Sequence, residues 1–251
     1  MTVLLCAALL SSCYDKNAVT EIAGPVAGAN VKFFHFGVNA PGVNFYGNDA
    51  KLTAISSTSG LESTIGTTYG SVGSGGFYAS IVPGQYSFTG RIAATVDKDL
   101  VIATILTTID NGKNYSFYLS GFYNTTAKTS DGFVVEDAFP AAIDYTMAHV
   151  RFVHGIANAN PMRLYALNTT TTAEAPVGAE IAYKSAGAFV ALPNGVYNLG
   201  ARYAGVTTNA ISRTAVSLVA GRVYTIGARG DITVTSGTAT NRPFLDNTAN
   251  R

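Results

Sequence analysis

The sequence has no tryptophan, three histidines, two cysteines and few charges, 12% of 251 residues, with a formal net charge of +1. Each shortage weighs against a class of function, and the lack of tryptophan, the usual platform for stacking on sugars, weighs against glycan binding. A net charge so close to zero offers no field to gather nucleic acid, so nucleic acid is not expected as a partner. Two cysteines, Cys6 and Cys13, cannot build a disulfide framework. The histidines, His35, His149 and His154, stand in no His-Glu-x-x-His or paired-cysteine spacing, so no metal and no cofactor is expected. No serine lies in a Gly-x-Ser-x-Gly elbow, and no catalytic residue can be assigned. No apolar run approaches the roughly 20 residues that a membrane-spanning helix needs. No segment keeps a helical period over about 11 residues, so helices are expected only as single turns.

What is present is apolar, aromatic and rich in glycine: 47% hydrophobic residues, with 26 Gly, 14 Tyr and 13 Phe. That composition suits many short strands joined by tight turns. The organising stretch is VKFFHFGVNAPGVNFY at 31–46, which the chain writes again as VRFVHGIANANPMRLY at 150–165. The copies share Val31/Val150, Phe33/Phe152, His35/His154, Asn39/Asn158, Ala40/Ala159 and Tyr46/Tyr165, while Lys32/Arg151 keeps the charge. Val31, Phe33 and His35 have one parity, so a strand would turn them to one face, the core face, and Lys32 and Phe34 to the other. A second matched block sets GKNYSFYLSG at 112–121 against GRVYTIGARG at 221–230. Between the blocks, Val82-Pro83-Gly84-Gln85-Tyr86 answers Leu192-Pro193-Asn194-Gly195-Val196-Tyr197. Asp110-Asn111-Gly112-Lys113 reads as a tight hairpin turn, because Asn-Gly tolerates positive φ. Phe244-Leu245-Asp246 answers Val134-Val135-Glu136 as the closing strand.

The repeat divides the chain into two all-β units, two tandem immunoglobulin-like/Greek-key antiparallel β-sandwich domains at 30–139 and 149–251. Val31, Phe33, Tyr86, Tyr115 and Phe117 are expected in one core, and Val150, Phe152, Tyr197, Tyr224 and Ile226 in the other. The competing arrangement is two halves of one large sheet or barrel. The linker 140–148 carries Ile143, Tyr145 and Met147 rather than a Ser/Gly spacer, so the units are expected to touch. Four features together, RFVH, the Pro-Gly-x-Tyr turn, the Gly-Lys-x-Tyr strand and Gly132-Phe-Val-Val-Glu-Asp, resemble the bacterial family known as domain of unknown function 4397, in two copies over about 30–247. The resemblance implies an all-β extracytoplasmic module, usual in secreted proteins and lipoproteins, with no established activity.

The amino terminus is read separately. Residues 1–12 suit a signal peptide, with a short apolar core at 3–10. Leu10-Ser11-Ser12-Cys13 resembles the lipobox of bacterial lipoproteins, which makes Cys13 the lipidation site and 13–29 a lipidated tether. No basic residue precedes the apolar core, which points to a start several residues upstream. The expected location is the bacterial cell envelope, as an outer-membrane lipoprotein, periplasmic or surface-exposed, held to the membrane through its lipid.

Candidate chemistry is sparse. His35 and His154 are repeated positions at a strand end, and the expectation is a ring packed on the core with its nitrogens bonded to loop backbone. The glycine-rich GSVGSGG at 70–76 lacks the helix and the lysine of a phosphate loop and reads as a flexible loop or bulged strand. Phe77-Tyr78 and Phe122-Tyr123 put adjacent rings on opposite faces of a strand, so one ring of each pair could be exposed and stack on a sugar. The expected function is a non-catalytic binding or structural display module for a surface protein or glycan. The competing reading is a glycan-acting hydrolase that gathers carboxylates from distant loops.

Overall fold

Val31, Phe33 and His35 are fully buried in the computed structural model, which describes residues 28–251, and their parity sets the first strand of an all-β molecule. The first repeat folds as β1 (Ala29–His35), β2 (Val43–Gly47), β3 (Ala50–Lys51), β4 (Ala79–Ile81), β5 (Gly84–Ile92), β6 (Val101–Ile109), β7 (Asn114–Asn124) and β8 (Thr129–Glu136). The second follows as β9 (Met147–His154), β10 (Met162–Asn168), β11 (Glu174–Ile181), β12 (Ser185–Ala186), β13 (Val190–Pro193), β14 (Gly195–Tyr203), β15 (Ile211–Leu218), β16 (Val223–Arg229) and β17 (Phe244–Ala249). The one helical turn among the described residues is the short 3-10 segment Gly73–Gly76.

Each repeat is a two-sheet sandwich. Sheets β4-β1-β7-β8 and β3-β2-β5-β6 face each other in the first, and β12-β9-β16-β17, with β13 also on β9, faces β11-β10-β14-β15 in the second. The strand orders correspond one for one. Most pairings are antiparallel, but β1 runs parallel to β7 and β9 parallel to β16, so each inner sheet is mixed. Two separate cores result. Phe33, Phe45, Phe88 and Phe117 fill the first, with Phe33 and Phe45 stacked at 5.0 Å. The second is built on aliphatic residues such as Met162, Leu164, Leu199 and Leu218. Nine of the ten expected core residues are buried, and Tyr86 is half-buried against the first core.

The matched turns have a role that their local sequence does not disclose. Asp110-Asn111-Gly112-Lys113 is not a hairpin: Gly112 takes φ +74°, but β6 pairs with β5 while β7 pairs with β1 and β8. The turn carries the chain from one sheet to the facing one, as does its counterpart between β15 and β16. The turns before β2, β5, β10 and β14 are sheet-to-sheet crossovers as well. Local turn chemistry fixes the backbone bend but not which neighbour the next strand finds.

The closing strands also need a correction. Tyr115 lies opposite Glu136 and its counterpart Tyr224 opposite Ala249, so Glu136 corresponds to Ala249 and not to Asp246. The inner end of the expected linker is strand, since β9 begins at Met147, and Tyr145 is 79% exposed. The signal peptide, Cys13 and the tether up to residue 27 lie outside the described residues.

Candidate functional site

His35 and His154 do the same work in the two sandwiches. The His35 ring is fully buried and its Nε2–H donates to the Pro41 carbonyl at 2.9 Å; His154 donates to the Asn160 carbonyl at 3.1 Å. Each imidazole therefore pins the turn that follows its own strand. Burial holds His35 down to about 4, and burial also lowers His154, so both rings are neutral at pH 7. His149 accepts from the Asp144 backbone N–H at 3.2 Å, far along β9 from His154. The described residues contain no group of histidine, cysteine and carboxylate side chains able to hold a metal.

Other repeated polar residues tie the crossovers in the same way. Tyr86 reaches back to the Val82 carbonyl at 2.9 Å and Tyr197 to the Pro193 carbonyl at 2.7 Å. The Tyr115 hydroxyl accepts from the Asp110 N–H and the Tyr224 hydroxyl from the Val219 N–H. The carboxylates are dispersed and mostly taken: Asp97 by Lys128, Glu62 by Lys51, Asp131 by Lys184 and Glu174 by Arg202.

The densest polar cluster lies between the sandwiches, on the faces of β1 and β9 opposite to their cores. Lys32 and Arg151 are each 1% exposed there. Arg151 donates Nε to Thr225 at 2.9 Å and Nη1 to the Glu136 carbonyl at 3.0 Å, and its Nη2 pairs with Asp137. Asp137 also accepts from Ser116 and from Tyr78, both at 2.7 Å. Lys32 crosses the other way, to the Ala249 carbonyl at 3.3 Å and the Asn250 side-chain oxygen at 3.2 Å. By strand register Glu136-Asp137 corresponds to Ala249-Asn250, so each basic residue grips the same two positions of the opposite sandwich.

The reciprocity extends beyond this clasp. Lys32 sits 4.4 Å from the Tyr78 ring centroid and Arg151 4.9 Å from that of Phe189, two rings at matching positions before β4 and β13. Beside the clasps Phe34, Phe36, Tyr118 and Phe133 meet Val153, with Val72 and Ala186 packed against them. Phe36 lies over Gly155 and Gly227, and a Cβ on Gly227 would come within 2.8 Å of its ring. At the far edge Arg229 stacks on Tyr69 at 4.7 Å, while Ser120, which corresponds to Arg229, meets the Tyr183 hydroxyl at 2.9 Å. Gly70 bonds the His35 carbonyl and Lys184 the His154 carbonyl, which makes Tyr69 and Tyr183 counterparts. Contacts that exchange under swapping of the two halves define an isologous interface, here within one chain.

Burial has an electrostatic consequence. Two cations and one carboxylate occupy the clasps, and burial pushes Lys32 down to about 8 against the pull of Asp137. Burial and the adjacent Asp137 carboxylate raise Tyr78, which stays a protonated donor. The expected contact between the sandwiches is present, but the outer sheet faces make it rather than the apolar linker. The signal for it was a third repeated motif, Tyr69-Gly70-Ser71-Val72-Gly73 against Tyr183-Lys184-Ser185-Ala186-Gly187. Thus the glycine-rich stretch after Tyr69 is a packed seam element, bridged to β1 through Val72 and Phe34.

Among the described residues the exposed aromatic side chains are Phe77, Phe122 and Tyr145, at 77%, 42% and 79%. Tyr78 and Tyr123, their neighbours in the two aromatic pairs, are partly buried. The second sandwich has a further feature without counterpart in the first. An open groove of about 600 Å³ runs between β15 and the loop 230–243, and Arg213, Arg229 and Arg242 each place a guanidinium 5.2 Å from the ring centroid of Phe244 in its wall.

No family model matches the chain, and no curated protein matches it. Among solved structures, the chain is similar to the Bacillus anthracis TIE protein at 14% identity, with a TM-score of 0.24, over 80% of this chain. It spans 33% of that protein's length.

Proposed function

We propose that the chain is a bacterial envelope lipoprotein, anchored through Cys13, whose paired sandwiches act as a non-catalytic module that binds or displays toward a protein or a glycan. The observation that carries this reading is the use made of the repeated polar residues. His35, His154, Tyr86, Tyr197, Lys32 and Arg151 all serve to fix turns or to join the sandwiches. The shared part of the repeat is thereby spent on rigidity, and the loops and the outer faces of the two sheets that lie away from the seam are left for contact. Three further points support it: the Leu-Ser-Ser-Cys13 sequence after an apolar run, the resemblance to domain of unknown function 4397, and the individually paired carboxylates.

Two measurements test the reading. Intact mass and membrane fractionation of wild type and Cys13→Ala should show a diacylated or triacylated Cys13 terminus and release of the variant. A binding screen against glycans and surface proteins, with hydrolysis of the same glycans monitored, should yield binding without turnover. Turnover without a stable complex would defeat it.

A further inference from the structure

The two sandwiches allow a comparison within one molecule: what one contains alone is not required by the fold they share. One departure of the second from the first surrounds a groove. In the first sandwich β7 continues through a tight turn, 125–128, into β8. In the second β16 stops at Arg229, and the irregular loop 230–243 takes the place of that hairpin. The facing strand differs too. β15 carries a bulge between its pairings with Tyr197 and Leu199, where Ala215 takes φ +57° and donates its N–H to the Asn198 side chain at 3.1 Å. β6 has no irregularity at that position. Bulges re-aim neighbouring side chains, and the residue beside this one is Arg213, whose counterpart by register is Ile105, packed against the first core.

The groove that results is basic, with guanidinium groups gathered around one ring. Arg229 is paired with Asp246, but Arg213 and Arg242 have no carboxylate partner among the described residues. Arg213 spends one N–H on the Leu245 carbonyl at 2.7 Å, and Arg242 spends one on the Ala239 carbonyl at 3.2 Å. A guanidinium has five N–H donors, so both keep most of theirs, and both lie 5.2 Å from the Phe244 ring centroid. The rim adds the hydroxyls of Thr214, Thr235 and Ser236.

We propose that this groove binds an acidic polysaccharide, with Arg213 and Arg242 taking the carboxylate or sulfate of successive sugars and the rim hydroxyls taking ring oxygens and hydroxyls. The proposal rests on the binding-module reading above and gives its ligand a chemical class. A protein interface of comparable strength needs a buried aromatic or aliphatic centre. This groove is open and mostly polar, and Phe244 is already covered by guanidinium groups, which favours a chain of charged, hydroxylated rings.

The test is calorimetric titration of the full chain with oligogalacturonate, heparin hexasaccharide, neutral chitohexaose and polyglutamate, at low and moderate salt. The expected result is binding of an acidic oligosaccharide that weakens as salt rises, at least tenfold weaker in the Arg213→Gln, Arg242→Gln double variant. Arg202→Gln, in an arginine of the same sandwich already paired with Glu174, should bind as wild type does. Thr235→Asp with Ser236→Asp, both exposed loop positions, should weaken binding by a similar factor with an unchanged melting temperature. Acidic-glycan binding that survives both the arginine and the loop variants would overturn the groove while leaving the module reading intact. So would binding of polyglutamate alone or of chitohexaose alone. Turnover of any of these glycans would instead strike at the module reading, and absence of binding to every acidic oligosaccharide would end the proposal.

Discussion

At the scale of single residues, the repeated histidines are most informative because their charge state reports the packing around them. With His35 held at about 4 against an ordinary value of 6.5, the unfolded chain binds the proton first on acidification. Its contribution to stability is therefore complete above pH 6.5 and is lost as the pH falls through that window to 4, roughly 3 kcal/mol for one imidazole. Proton NMR of the His35 ring should show no titration down to about pH 5; a midpoint near 6.5 would mean that the ring is solvated. Tyr118 tests the opposite case, a polar atom without compensation. Its hydroxyl is buried in the seam and, although Ser116 and the Arg151 guanidinium lie near it, makes no hydrogen bond of regular geometry, so Tyr118→Phe should leave stability unchanged or raise it by about 1 kcal/mol in chemical denaturation, where most buried tyrosine substitutions lower it.

The elements show where sequence reading succeeds and where it stops. Strand faces were legible, since Val31, Phe33 and Phe117, and Val150, Phe152 and Ile226, all point into the cores that their parity indicated. Turn positions were legible for the same local reason. Partners were not: Asn111-Gly112 looks like a hairpin because the turn is tight, yet long-range pairing sends β7 to β1. The groove was illegible because its arginines are distant in sequence and only a bulge and an unpaired loop bring them around Phe244. Two glycines in these connections separate conformation from space. Gly112 needs positive φ but has nothing near its missing Cβ, so Gly112→Ala should cost about 1 kcal/mol. A Cβ on Gly42 would overlap the Ile65 carbonyl oxygen, which backbone cannot yield cheaply, so Gly42→Ala should cost clearly more in the same denaturation series. Equal costs would show that the 63–67 segment moves freely.

For the whole molecule the seam decides whether there are one or two folding units. Parity assigned Lys32 and Phe34 to the outer face of their strand, as alternation requires; that the outer face is itself buried depends on the second copy, which no local pattern encodes. With a shared charge clasp and aromatic packing beside it, the two sandwiches should melt in a single calorimetric transition. Asp137→Asn removes the one carboxylate that balances Lys32 and Arg151, and loss of one partner from a buried pair costs about 3–5 kcal/mol. The variant should melt earlier, in two resolved steps as the seam opens before the cores. A single transition at the wild-type temperature would show that Asp137 adds nothing to the seam, and two transitions in the wild type would show that the seam couples nothing.

Because the contact between the sandwiches is made by the same face on both, it is also self-terminating. Each unit has one such face and spends it on its neighbour, so a third copy added to the chain would find no vacant surface of that kind. Head-to-tail contacts can grow into rings or fibres, whereas this one closes on its first use. Copies of the unit joined in longer series would therefore associate in twos, with an odd member left exposing an apolar and basic sheet.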